Sequence, residues 1–436
     1  MNARAPVIAF LPWGDVIEDW LEPIGLTARD FGERLAGGWM FNYVRALELA
    51  GVETVFFCFS REAAAPERRV HAETGAPIWV LPSSHVFRLV RARQLNEPVG
   101  PRPGPRRIAG AALRNLSPLL ATPPRTLTRL LRQEGCRAIL CQEYEDPRFD
   151  AAVLLGKALG LPTFASFQGG DHQVSRLERP IRPVTMRLTN GLIIGPQAEI
   201  QRVKRRYRVP DRKIARIFNP VDPDEWRPAG NEDARREFGL PQDACVVVSH
   251  GRIRFEDKAT DLLVEAWERV SRGRGDRVRL LIVGDGPDAP RLQRLLRDRK
   301  VEGVTWLREF VTDRARLRQA LSAADVYVLS SRLEGLPVAP IEAMAMRLGV
   351  VATDASGVPD IFERGEEHGG LVVPRDDVDA LAGALGRMVD DAGLRDRLAG
   401  RARARVEAAF SLRAVGRQLR EFMFRETSAS PRATRR

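Results

Sequence analysis

The sequence predicts an α/β protein of two or three domains, built on parallel strands. Three observations carry that expectation. At 436 residues the chain is long enough for more than one core. Both halves alternate short apolar runs with stretches of helical periodicity, and no internal repeat accompanies the alternation. The stretch from Asp325 to Asp354 also reads as one strand–loop–helix–strand unit. In it Val326–Leu329 is a buried strand, residues 330–337 carry turn chemistry, Pro340 opens a helix, Gly349 closes it, and a second apolar run follows at 350–352. Ligand groups are expected at the carboxyl end of the first of these strands.

That end holds Glu334 in the loop, beside Gly335, Leu336 and Pro337, and Glu342 in the first turn of the helix. Both acids can face one crevice, with backbone amides and a helix start between them as a seat for an anion. Acids that accept from sugar hydroxyls, next to donors that bind phosphate, suit a nucleotide-sugar. Taken singly, Glu342 is also an ordinary first-turn acid and Glu334 an ordinary solvated one.

Composition sets outer bounds. With 44% hydrophobic and 29% charged residues the chain belongs among globular proteins. No run reaches the ~18 apolar residues of a membrane span, and the apolar core at residues 7–11 is too short for a signal peptide and reads as the first strand. Cys58, Cys136, Cys141 and Cys245 form no CxxC pair, so buried free thiols in a reducing compartment, the cytoplasm, are expected. The five histidines show no metal spacing, and no metal or cofactor is expected. The formal charge of +12 points to a polyanionic partner. Most of it lies from Arg88 to Arg132, where ten arginines face the single acid Glu97. The flanks of that segment mix leucine and valine with arginine, as a helix on the anionic inner face of the plasma membrane does, or as a plain solvated basic face does. Nucleic acid is the rival partner, but Phe87 is the only aromatic at hand for stacking, so no specific nucleic acid is expected.

The segment EGLPVAPIEAMA at 334–345, followed by GVVAT and GVPDI, resembles the Glu-x7-Glu block of retaining GT-B-fold glycosyltransferases of family four, the glycosyl transferases group 1. The resemblance covers the C-terminal half strongly and the N-terminal half weakly. It implies two Rossmann-like domains facing across a cleft, an acceptor domain at 1–222 and a nucleotide-sugar domain at 223–405. A helix at 406–426 would return to the N-terminal domain, and the tail at 427–436 would be disordered.

In chain order, strand one at 7–11 precedes a long connection at 12–36, then Gly37 and Gly38 and a helix from about 39 to 50. By the resemblance, that glycine pair lets the backbone approach the donor phosphate. Strands follow at 52–59, 77–82, 138–141 and 161–166, with a helix at 149–159. The last of these strands runs into Gln168-Gly169, where the family commonly carries His-Gly at the donor sugar. Glutamine can hydrogen-bond a substrate there but cannot act as a general base; His172 lies four residues on. Residues 213–222 resemble the family's hinge strand, with Asn219 at the donor and Pro220 in place of glycine. Asp222 and Asp224 read as turn residues rather than metal ligands.

The strand at 245–250 leads into Gly251, Arg252 and Lys258, which match the family's Gly-Arg-x5-Lys block, with Ala259 in place of the usual glycine. The resemblance implies that Arg252 and Lys258 straddle the diphosphate, that Glu334 holds the sugar and Glu342 the ribose, and that the backbone at Phe310 reads the base. A retained anomeric configuration, a hexose-type donor and a glycan or lipid-linked acceptor follow by the same analogy. The alternative in another class is a catalytically silent nucleotide-sugar-binding protein of the same fold.

Overall fold

In a computed structural model the chain is described over residues 5–12, 14, 16–22, 26–33, 39–85, 87–88, 121–169, 178–309, 311 and 313–425. Gly37, Gly38, His172, Phe310, the tail at 427–436 and most of the arginine-rich stretch lie outside the described residues. The chain divides into two compact units. One comprises residues up to Ile194, 199–217 and everything from Val415 onward; the other comprises 195–198 and 218–414.

In the first unit the strands are β1 (Val7–Leu11), β2 (Glu53–Ser60), β3 (Glu67–Val70), β4 (Pro77–Pro82), β5 (Cys136–Gln142), β6 (Thr163–Ser166), β7 (Gly191–Ile193) and β8 (Ile214–Ala215). They lie in the order β3-β4-β2-β1-β5-β6-β7-β8. Among the described strands only β3 runs antiparallel to its neighbour. Alternate residues of each central strand feed cores on opposite faces, as a sheet covered on both sides requires. Ile8, Phe10 and Phe56 go to one core. Ala9, Leu11, Val55 and Phe57 go to the other.

The second unit repeats the plan with β9 (Cys245–His250), β10 (Val278–Val283), β11 (Val304–Leu307), β12 (Val326–Leu329), β13 (Gly349–Thr353) and β14 (Gly370–Val373). Every pairing is parallel, in the order β11-β10-β9-β12-β13-β14. Strand order therefore diverges between β9 and β12, and the crevice for ligands opens at His250 and Leu329.

Several expectations are corrected. The connection at 12–36 holds a π-helical turn, Val16–Leu21, and a helix, Ala28–Glu33. Val16, Ile17, Leu21 and Phe31 anchor them in the core. Thr27 and Asp30 cap the second one reciprocally, with Thr27 N–H donating to Asp30 Oδ2 at 2.9 Å. Gly349 does not stop its helix: the turn-off is Arg347, at φ 60°. Gly349 instead starts β13, where a Cβ would meet Met388 at 2.6 Å. The hinge strand shrinks to Ile214–Ala215, because the chain changes cores one step later: Ile217 belongs to the first unit's core and Phe218 to the second's.

The four cysteines are free. Burial pushes the Cys58 and Cys141 thiols up to about 12, so neither supplies a thiolate at neutral pH. No described helix is long and apolar enough to cross a membrane.

The chain re-enters the first unit through the helix Leu412–Met423, after a π-helical turn at Val406–Phe410 and an extended Ser411. Val415, Leu419 and Phe422 complete the core over β1 and β2. The contact is close enough that a Cβ on Gly416 would lie 1.9 Å from the Ala46 carbonyl oxygen. Gly416→Ala is therefore expected to destabilise the protein by about 1–3 kcal/mol. Thermal unfolding is the measurement, and an unchanged midpoint would show that this helix is not seated as described.

Candidate functional site

The crevice of the second unit is a cavity of about 320 Å³. It is lined by Ser249 and His250 at the end of β9 and Gly251 to Ile253 after it, by Lys258 and Thr260, and by Ser330, Ser331, Glu334 and Pro337 to Ala339 after β12. Four residues that the sequence placed at the donor, Gly251, Arg252, Lys258 and Glu334, thus line one cavity, together with Pro337.

Each is held by the local fold. The loop after β9 is tied to the loop after β10: Ile253 N–H donates to Asp285 O at 3.0 Å, and Phe255 N–H to Asp288 Oδ2 at 2.7 Å. A side chain on Gly284 would overlap the Gly251 carbonyl, at 1.9 Å, so glycine there is a steric requirement. Ala259 adopts the left-handed conformation, φ 50°, that explains the family's glycine at this position. Its methyl is fully buried in the core. The loop after β12 is fixed from below. Arg332 and Leu333 N–H groups donate to Asp257 O, at 2.8 and 3.1 Å, and the buried Thr353 hydroxyl donates to Ser331 O at 2.5 Å.

On this scaffold the Lys258 ammonium donates to Glu334 Oε1 at 2.6 Å, and the Ser331 hydroxyl donates to the same oxygen at 2.6 Å. Glu334 is nearly buried, its side chain 9% exposed. Arg252 differs: it is exposed, and among the described residues it has no ion-pair partner. One cation is therefore ready for an anion, while the other is stored against a carboxylate. Tyr327, fully buried beneath, has its phenol pushed well above the usual range, first by burial and then by the charges of Glu334 and Glu342.

Glu342 meets the site through His250, whose Nε2 lies 3.7 Å from Glu342 Oε2. His250 lines the cavity and is one residue that sequence reading passed over. Its signal was its place, the last residue of β9, immediately before Gly251-Arg252. Ser331 and Thr353 were passed over as well, because side chains meeting across a loop and the next strand leave no spacing to read. Leu336 is packed into the core against Phe218's cluster, so only its backbone can face a ligand. Asn219 is buried and is not among the cavity's lining residues. Asp222 Oδ1 accepts from the N–H groups of Asp224 and Glu225, a turn-forming role.

Gln168 belongs to the other unit, at the carboxyl edge of its sheet. Its Nε2 donates to Ser166 Oγ at 3.0 Å, and its backbone N–H donates to Glu143 Oε2 at 3.1 Å. Glu143 holds φ 69°, rare for a non-glycine residue. Beside it Gln142 is buried, with neither amide atom hydrogen-bonded.

Residues 244–391 match the family described as glycosyl transferases group 1. Among known proteins, the chain is 28% identical to an alpha-D-kanosaminyltransferase of Streptomyces kanamyceticus over 310 residues, 68% of this chain and 78% of that one. It is 35% identical to a D-inositol 3-phosphate glycosyltransferase of Mycobacteroides abscessus over 224 residues, 50% of this chain and 47% of that protein. The chain thus spans about half the length of that second relative. Among solved structures, HepE of Anabaena in complex with UDP aligns with a TM-score of 0.67 at 15% identity, covering 95% of this chain and 98% of that one. The chain has the α/β two-domain GT-B fold, and within it residues 244–391 are similar to the glycosyl transferases group 1.

Proposed function

We propose that this protein is a retaining glycosyltransferase that moves a hexose-type sugar from a nucleoside diphosphate to a glycan or lipid-linked acceptor, without a bound metal. The observation that carries the reading is the convergence of Arg252, Lys258 and Glu334 on one cavity at the switch point of a parallel sheet. Departure of a nucleoside diphosphate develops negative charge on its terminal phosphate. Arg252 meets that charge with a planar fork of donors and Lys258 with a point charge. Lys258 reaches phosphate by loosening from Glu334, which frees a carboxylate oxygen to accept from a sugar hydroxyl. No side chain in the lining is placed as an evident nucleophile. Attack on the same face, with the leaving phosphate taking the acceptor's proton, fits the site better than a glycosyl-enzyme. UDP, the nucleotide held by the Anabaena structure, is the first to try.

The test is turnover of a panel of nucleotide-sugars, read as transfer or as slow hydrolysis. Binding without either would mark a silent binding protein. Arg252→Ala and Lys258→Ala are each expected to lower turnover by about 100-fold or more, the scale of removing one charge partner from a transition state. Near-parental turnover in either variant would refute the diphosphate assignment. With two cations already opposing the diphosphate, activity is expected to survive EDTA. Loss on chelation, restored by a divalent ion, would overturn metal independence.

A further inference from the structure

A second cluster surrounds Glu342, and it contains an arginine that the donor site described above leaves out. Arg314 opens the helix Arg314–Ser322, which Asp313 caps by accepting from Ala315 N–H at 2.8 Å. Its guanidinium is fixed on two sides: Nη1 donates to Glu225 Oε2 at 2.7 Å, and the plane lies 5.2 Å from the centre of the buried Trp226 ring. Its other terminal nitrogen, Nη2, is buried and has no hydrogen-bond partner. It stops 3.8 Å from Glu342 Oε1. On the far side His250 Nε2 stops 3.7 Å from Glu342 Oε2, and its Nδ1 is likewise buried and unpartnered.

Both distances exceed a hydrogen bond. Each oxygen of Glu342 therefore has a side-chain nitrogen nearby without surrendering a lone pair to it. The anchor on Glu225 keeps the Arg314 guanidinium from closing the last half ångström. The result is a carboxyl group with both oxygens open, which matches one ligand group in particular: a vicinal pair of hydroxyls that donates to the two oxygens together. In a nucleotide-sugar, that group is the ribose 2′,3′-diol.

We infer that Arg314 is a positioning residue which, through Glu342, makes the site distinguish ribose from 2′-deoxyribose in the nucleoside diphosphate. The inference rests on the nucleotide-sugar reading of the neighbouring cavity. Arg314 touches no substrate atom in this role. A bystander holding Glu225 and Trp226 together would affect stability alone, whereas a positioning residue changes the ratio of two affinities.

The experiment is calorimetric titration of UDP, GDP and ADP, and of their 2′-deoxy counterparts, into wild type, Arg314→Gln and Glu225→Gln. For the nucleotide that binds, wild type is expected to hold the ribose form about tenfold or more tightly than the deoxy form, the scale of one hydrogen bond to a charged group. In Arg314→Gln that ratio is expected to fall to within about threefold of unity, with affinity for the deoxy form nearly unchanged. Glu225→Gln leaves the cation but loosens its anchor and is expected to lower the ratio too; it decides the question should Arg314→Gln fail to fold. A wild-type ratio retained in a folded Arg314→Gln, or in Glu225→Gln if that variant alone folds, overturns the inference. A wild type that binds a nucleoside diphosphate without ribose preference overturns it as well, and leaves the cavity assignment standing. A wild type that binds none of the six overturns the nucleotide-sugar reading itself.

Discussion

The second unit's site depends on one shared oxygen. Glu334 Oε1 accepts from the Lys258 ammonium and from the Ser331 hydroxyl at once. A solvent-exposed ion pair is worth ~1 kcal/mol or less, and Lys258 keeps about a third of its side chain exposed. The pair is therefore better understood as a constraint on geometry than as a source of stability. A nearly buried carboxylate without partners would be costly, so the loop after β12 holds its shape because Glu334 has somewhere to place its charge. Thr353, Ser331 and the Asp257 carbonyl fix that place from beneath.

The arrangement separates the two cations by readiness. Arg252 stands exposed at the rim, while Lys258 is held in reserve against an acid. A ligand carrying both phosphate and hydroxyls can exchange for that internal pair group by group, phosphate for Lys258 and hydroxyl for Glu334. A bare anion satisfies only half of the exchange. Under the proposed function, this is a physical basis for preferring a nucleotide-sugar over inorganic phosphate in the same cavity, since a ligand that leaves a buried polar group unpaired loses that group's desolvation cost.

The two units follow the same plan but differ in how they close. In the second, the central strands are parallel and uninterrupted. The first needs a late segment of the chain to finish its core, with Leu419 and Phe422 reaching residues that were set down some 400 positions earlier. That sequence separation makes the last helix a long-range element whose packing no local pattern announces.

Much was legible in the chain itself. The strands at Val7–Leu11, Pro77–Pro82, Cys245–His250 and Val326–Leu329 have the bounds that their apolar runs imply, because buried parallel strands are written as short continuous hydrophobic blocks. The gathering of Arg252, Lys258 and Glu334 was legible because a strand's carboxyl end and a fixed motif spacing place backbone, and backbone places these side chains. Tertiary structure alone decided what those side chains do with one another. Lys258 pairs with Glu334 across 76 residues, Arg314 reaches Glu225 across 89, and Gly349 is glycine because Met388 and Leu398 crowd it. Local sequence encodes propensity and periodicity, which act over a few residues. Ion pairs and steric exclusions arise only when distant segments are brought within a few ångströms, and strand order, not strand identity, determines which segments those are.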